Sequence, residues 1–150
     1  MEFKVVGMRG DTGFDDIVEH FTSMGGEVIL MNPNKVVGKD HILSAAHHAE
    51  RSFREGTNRS KTLLTEIILY AAWERQISKA LAKMRPEGNE YVVLLIDIDD
   101  PKLDAIGMVQ DDSLMDATDA KAESLGLLKD SVPYEEQALE NVAMVDLMKF

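Results

Sequence analysis

Two aspartates close the run Val92-Val93-Leu94-Leu95-Ile96-Asp97-Ile98-Asp99. Carboxylates one residue apart, just past a buried strand, can hold Mg²⁺ for phosphoryl chemistry. A small Mg²⁺-dependent phosphohydrolase using Asp97 and Asp99 is therefore the enzyme reading of this chain. The surroundings oppose it. Pro101 stiffens the position two residues after Asp99, and the chain behind it is short and rich in helical spacing. A calcium loop starting at Asp97 fails as well, because Pro101, Leu103 and Met108 occupy ligand positions and Glu is needed at the last. The pair reads as turn residues at a strand end, and no metal site is assigned.

The histidines do not assemble a site either. His47 and His48 diverge by about 100° on a helix, and His41 lies six residues before His47. With His20 they read as surface or half-buried residues. No serine sits in a nucleophile elbow, and no glycine-rich phosphate loop ends in Lys-Ser or Lys-Thr. Cysteine is absent, which excludes disulfides, Cys–zinc sites, iron–sulfur clusters and thiol nucleophiles. No catalytic residue and no cofactor is assigned, and the chain reads as a binding or regulatory protein rather than an enzyme.

Charge marks one segment for an anion. The net charge is −11, which argues against a generic nucleic-acid binder. Residues 39–85 nevertheless carry nine basic and five acidic side chains, while the remainder carries seven basic and 22 acidic. Within that segment Gly56-Thr57-Asn58-Arg59-Ser60-Lys61 precedes a helix, whose free N–H groups favour anions. Further on, Arg75, Lys79 and Lys83 recur every four residues as one ridge, with Gln76 beside Arg75. If the chain turns near Trp73, the starts of the two helices come together as a cradle for a phosphate chain.

The elements that must hold these residues follow from periodicity. Glu2–Val6 alternates as a strand, Phe14–Met24 has helical spacing, and Glu27–Met31 is a short apolar strand. Val36-Val37 is a short strand or the approach to a helix capped by Asp40, with Ile42, Ala46, Ala49 and Phe53 on one face and Gly56 as its stop. A second, densely apolar helix is expected from about Ser60, with a kink at Trp73–Arg75 and an end at Pro86 and Gly88. Tyr91–Ile98 is the strongest strand. Residues 102–110 form a turn and then a strand around Ile106–Val109. Ser113–Leu125 reads as an acidic helix ending at Gly126, and a last helix from Pro133 or Tyr134 turns Ala138, Val142, Val145 and Leu147 inward. With 150 residues and no linker or repeat, this is one α+β domain, residues 1–150, with helices packed on a small mixed sheet. No apolar run approaches the ~20 residues of a membrane helix, and the start lacks a signal-peptide pattern, so a cytoplasmic protein without membrane contact is expected.

One set of residues is more specific. Gly38-Lys39-Asp40-His41, Ala45, Ala49, Phe53, Gly56-Thr57-Asn58, Glu66-Ile67-Ile68-Leu69-Tyr70-Ala71 and Arg75-Gln76-Ile77, in this order, resemble the kinase-binding regulatory subunit of the KEOPS complex, archaeal type. The closing Leu139–Leu147 also resembles that family's C-terminal helix. Trp73 departs from the family, which tends to have a small residue there. The resemblance implies a non-catalytic subunit of the machinery that installs threonylcarbamoyl on the tRNA adenosine next to the anticodon. Its implied partners are the complex's atypical small kinase/ATPase and the single-stranded 3′ CCA end of tRNA. Carried onto this chain, the tRNA contacts are Asn58, Arg59, Ser60, Lys61, Arg75, Gln76, Lys79 and Lys83. The kinase contacts are placed on the last helix at Val142, Val145 and Met148. Trp73 either packs between the helices or stacks on a terminal base.

Overall fold

The computed structural model describes residues 1–149. Its sheet is built around the strand that the apolar run 91–96 foretells. Four strands, β1 (Phe3–Arg9), β2 (Glu27–Met31), β3 (Glu90–Ile96) and β4 (Val109–Gln110), stand in the order β2-β3-β1-β4. Every pairing is antiparallel, with Val5 opposite Leu94 and Ile29 opposite the same Leu94. The mixed sheet expected from the sequence is not formed. Helix α1 (Phe14–Thr22) returns β2 in the direction of β1, but β3 inserts between the two and separates the parallel pair.

Both faces of the sheet are covered, which is why β3 is apolar at every position from Tyr91 to Ile96 rather than at alternate ones. On one face Val5, Ile29, Met31, Val92, Leu94 and Ile96 meet the helices α2 (Lys39–Glu55), α3 (Leu63–Ala72), α4 (Ile77–Met84) and α6 (Tyr134–Met148). On the other, Met8, Leu30, Val93 and Leu95 meet Ile17 and Phe21 of α1 together with Ile98, Leu103 and Met108. The architecture is α+β. No helix among the described residues is long and apolar enough to cross a membrane.

Several boundaries differ from the sequence reading, each for a local reason. Helix α2 begins one residue before Asp40. Its N-cap is Gly38, at φ 106°, where any Cβ would run into the Glu135 carboxylate. That carboxylate accepts from the Asp40 N–H at 3.0 Å, so the cap is supplied by α6 rather than by Asp40. Residues 113–125 split into a 3₁₀ turn (Asp112–Met115) and a shorter helix α5 (Asp119–Leu125), capped by Thr118. Asp111 caps the first piece and Thr118 the second, so two caps compete where one helix was expected. In 102–110 the turn is a 3₁₀ piece at Leu103–Ile106, and the strand shrinks to β4.

Candidate functional site

The segment 56–62 is shaped by a carboxylate from inside the protein. Glu66 is wholly buried in α3. One of its oxygens accepts from Ser60 N–H at 2.9 Å and Arg59 N–H at 3.1 Å. The other accepts from Lys149 Nζ at 2.7 Å and Ser52 Oγ at 2.9 Å. Burial alone would raise the Glu66 pKa, but the Lys149, Ser60 and Ser52 hydrogen bonds outweigh it and hold the carboxylate ionised. The Lys149 ammonium also lies 4.8 Å from the Tyr70 ring centroid. Helix α3 consequently starts at Leu63, with Thr62 accepting from Thr65 N–H, and not at Ser60. Of the N–H groups around the expected helix start, those of Arg59 and Ser60 are already filled by Glu66.

The residues of that loop divide accordingly. Asn58 Nδ2 donates to the Ser60 carbonyl at 2.9 Å and closes the turn. Ser60 is buried, and its hydroxyl has no partner among the described residues. Arg59 donates through one guanidinium nitrogen to the Lys149 carbonyl at 2.8 Å, tying the loop to the end of α6. Lys61 is exposed and forms no ion pair among the described residues.

The second cluster lies at the other end of α3. Trp73 is in the left-handed conformation, φ 58°. Its N–H bonds the Tyr70 carbonyl and the Glu74 N–H reaches back to Leu69, which is a Schellman closure. The kink expected at 73–75 is thus a complete break, made by tryptophan where glycine would be the low-cost residue. The indole packs against the main core and lies beside the buried His41 ring, centroids 5.2 Å apart. Its indole N–H is buried without a partner among the described residues. Arg75, Gln76 and Lys79 are exposed at the start of α4. Lys83 folds back instead, donating to the Ala72 carbonyl at 2.6 Å with its ammonium 4.7 Å from the indole centroid. Burial lowers its pKa. The ridge read from the sequence therefore ends at Lys79.

The two clusters are not one cradle. Helix α3 has ten residues, about 15 Å of axis, and it separates Lys61 from Arg75. The break at Trp73 sends α4 back along α3, so the start of α4 meets the end of α3 rather than its start.

Helix α6 corrects the other site assignment. Val142 and Val145 are fully buried and belong to the core, so they cannot form an outward contact. Met148 is half-buried. Leu147, expected inside, is 76% exposed, and Met144 is 49% exposed. A polar network under this helix was not foreseen. Tyr70 donates its hydroxyl to Asp146, whose other oxygen receives His48 Nδ1 and Arg51 at 2.9 Å each. Burial first, then Asp146, pushes the Tyr70 phenol well above its usual pKa. The sequence signal for such networks was Glu66 itself, a carboxylate among Leu63, Leu64, Ile67 and Ile68.

The aspartates at the end of β3 are spent on local structure. Asp97 adopts φ 58° and accepts from the Glu2 N–H at 2.8 Å. Asp99 takes the Lys4 ammonium at 3.1 Å. No group of three or more His, Asp or Glu residues among those described is placed to hold a metal ion.

What the fold presents is a binding module: exposed apolar residues on one helix, exposed cations at both ends of another, and polar clusters absorbed by packing. The family of kinase-binding protein CGI-121 matches residues 15–149, and the chain belongs to it.

Proposed function

We propose that this chain is the non-catalytic, kinase-binding subunit of a KEOPS-type tRNA-threonylcarbamoylation complex, working in the cytoplasm. In this reading it supports the complex's small atypical kinase/ATPase and holds the 3′ CCA end of tRNA. The observation that carries the kinase part is helix α6. Its inner face, Ala138, Val142 and Val145, is locked into the core, while Met144 and Leu147 stand out in solvent on a family member defined by kinase binding. An exposed apolar pair on a rigidly held helix suits a partner's apolar groove. The tRNA part rests on the resemblance together with the exposed cations Lys61, Arg75 and Lys79, with Gln76 beside them. Asn58, Ser60 and Arg59 shape the loop that presents Lys61.

Co-purification with the kinase tests the first part. Leu147→Glu should leave the thermal midpoint near wild type and lower kinase affinity about tenfold or more, the loss of a central apolar anchor. A folded Leu147→Glu protein with undiminished kinase affinity removes α6 from the interface. Gel shifts with intact tRNA and with tRNA lacking CCA test the second part, and equal binding to both refutes end capture.

A further inference from the structure

Strand β2 is an outer strand of the sheet, and the ladder fixes which way its backbone points. The β1–β3 ladder is closed at its ends by Asp97 N–H on the Glu2 carbonyl, 2.9 Å, and Gly10 N–H on the Asn89 carbonyl, 3.0 Å. Even-numbered residues of β1 and odd-numbered residues of β3 therefore bond each other. Val92, Leu94 and Ile96 turn to the other side, where Met31, Ile29 and Glu27 stand opposite them. Val28 and Leu30 consequently point their N–H and carbonyl groups away from the sheet. Asn32, next on that side, gives its N–H to the Met84 carbonyl at 2.9 Å, so the end of α4 closes the edge there. Val28 and Leu30 have no such partner among the described residues, and no further strand pairs with them. Four backbone groups are left open to pairing.

The open edge adjoins an apolar groove of about 270 Å³. Helix α1 packs on one face of the sheet, and α3 with α4 on the other. Phe14, 49% exposed, lines the groove from the first layer. Ile68, Met84 and Leu81, the last 41% exposed, line it from the second, with Leu30 of β2 between. The volume falls short of the roughly 300 Å³ at which small-molecule sites begin, and it suits side chains. In an added strand successive side chains point to opposite faces, so neighbouring apolar residues meet Phe14 and Leu81 in turn.

The rim is acidic. Asp15 and Glu19 stand one position beyond Phe14 and Val18 on the exposed side of α1, and Glu27 opens β2. None of the three forms an ion pair among the described residues, and Arg85 is the one cation lining the groove. Lys79 lies about 160° around α4 from Leu81, so the groove is apart from the face assigned to tRNA. No residue of α6 lines it.

We infer that β2 takes up an extended, apolar and cationic segment of a partner protein as a fifth strand. Backbone pairing with Val28 and Leu30 supplies affinity, apolar side chains fill the groove, and flanking Lys or Arg meets the acidic rim. A second copy of this chain fits less well. It would bring the same three carboxylates and another net charge of −11 against the first. This contact is additional to the kinase and tRNA contacts proposed above and does not depend on them.

Nuclear magnetic resonance of the nitrogen-labelled full chain tests this, with the acetylated and amidated pentapeptide Lys-Val-Ile-Val-Lys as probe. The Val28 and Leu30 backbone amides should shift saturably and exchange more slowly with solvent. The peptide Glu-Val-Ile-Val-Glu, with the same ends, should bind about tenfold more weakly. Leu81→Glu, at an exposed helix position, should weaken binding of the Lys peptide by a similar factor. Val28→Pro removes an outward N–H and no ladder bond, and should do the same. No saturable shift at millimolar Lys peptide overturns the inference. So does equal affinity for the Glu peptide, or undiminished affinity in folded Leu81→Glu. Should Val28→Pro fail to fold, Leu81→Glu decides. If the same two amides shift on raising protein concentration alone, with sedimentation reporting a dimer, the edge belongs to a second copy and the partner reading is overturned.

Discussion

Trp73 and His41 show how single side chains hold the region where α3 breaks. A non-glycine residue at φ 58° costs on the order of 1 kcal/mol, offset here by the indole's packing on His41 and under Lys83. Trp73→Ala keeps the strained backbone and loses the packing. Trp73→Gly loses the packing and relieves the backbone. Trp73→Gly should therefore be the more stable of the two by about 1 kcal/mol in urea unfolding, reversing the usual order of these residues in a helix. His41 accepts from Val37 N–H at Nδ1, so Nε2 must carry the proton it gives to the Ala71 carbonyl, and the ring is neutral. Burial lowers its pKa from 6.5 to about 4. Between those values the unfolded chain binds more protons than the folded one, so stability falls as pH falls from about 6.5 toward 4, on the order of 3 kcal/mol in all. The carboxylates Glu66 and Asp146, whose pKa values are lowered, add their losses only as pH falls below the ordinary carboxylate range. Urea midpoints between pH 6.5 and 5 should thus slope in wild type and flatten in His41→Gln. The sequence showed that four histidines make no site, but nothing in its pattern distinguished His41, at 0% exposure, from the exposed His47. That difference depends on where α3 ends.

Elements with a strong period were legible, and those set by a long-range polar contact were not. Strand β2 and the end of α2 at Gly56 fall where the short apolar run and the glycine put them. Helix α3 starts three residues late because Glu66 draws Arg59 and Ser60 N–H groups out of helical register. The local signal was Glu66 alone, and its fixed position depends on Lys149, which arrives with the α6 terminus from the far end of the chain. Likewise a period of 3.6 could place Val142, Val145 and Leu147 on a helix, but which arc faces inward depends on α2 and α3. Glu66 is therefore expected to be the pivot of the loop that presents Lys61. Glu66→Ala leaves two backbone donors without their acceptor and removes the carboxylate from a buried ion pair. The cost should be about 3–5 kcal/mol in urea unfolding. Hydrogen exchange should show protection lost at Arg59 and Ser60 while the α4 amides keep theirs. Retained protection at both residues would show that the loop holds its shape without the carboxylate.

At the scale of the whole molecule, the charge imbalance read from composition survives folding only in part. Of the nine cations in residues 39–85, Arg51 is paired with Asp146, Arg59 is tied to the Lys149 carbonyl and Lys83 lies back on α3. Lys39, Arg54, Lys61, Arg75, Lys79 and Arg85 remain exposed and unpaired among the described residues, within a molecule of net charge −11, and Lys61, Arg75 and Lys79 are the three of them assigned to tRNA. Long-range attraction to RNA is therefore absent, and binding must come from a few short-range phosphate contacts. Three contacts to a single strand predict a slope of about −2 in log K against log salt. Each of Lys61→Ala, Arg75→Ala and Lys79→Ala should reduce that slope by about 0.7 and weaken all tRNA species alike, because phosphates carry no sequence. Arg51→Ala should leave it unchanged, its charge being committed to Asp146. Because α3, about 15 Å long, lies between Lys61 and Arg75, the double substitution of these two should add rather than couple. Filter binding over a range of salt measures the five variants and the wild type on one scale. If Arg75→Ala keeps the wild-type slope, the start of α4 is not on the RNA; if Lys61→Ala does, the loop held by Glu66 is not.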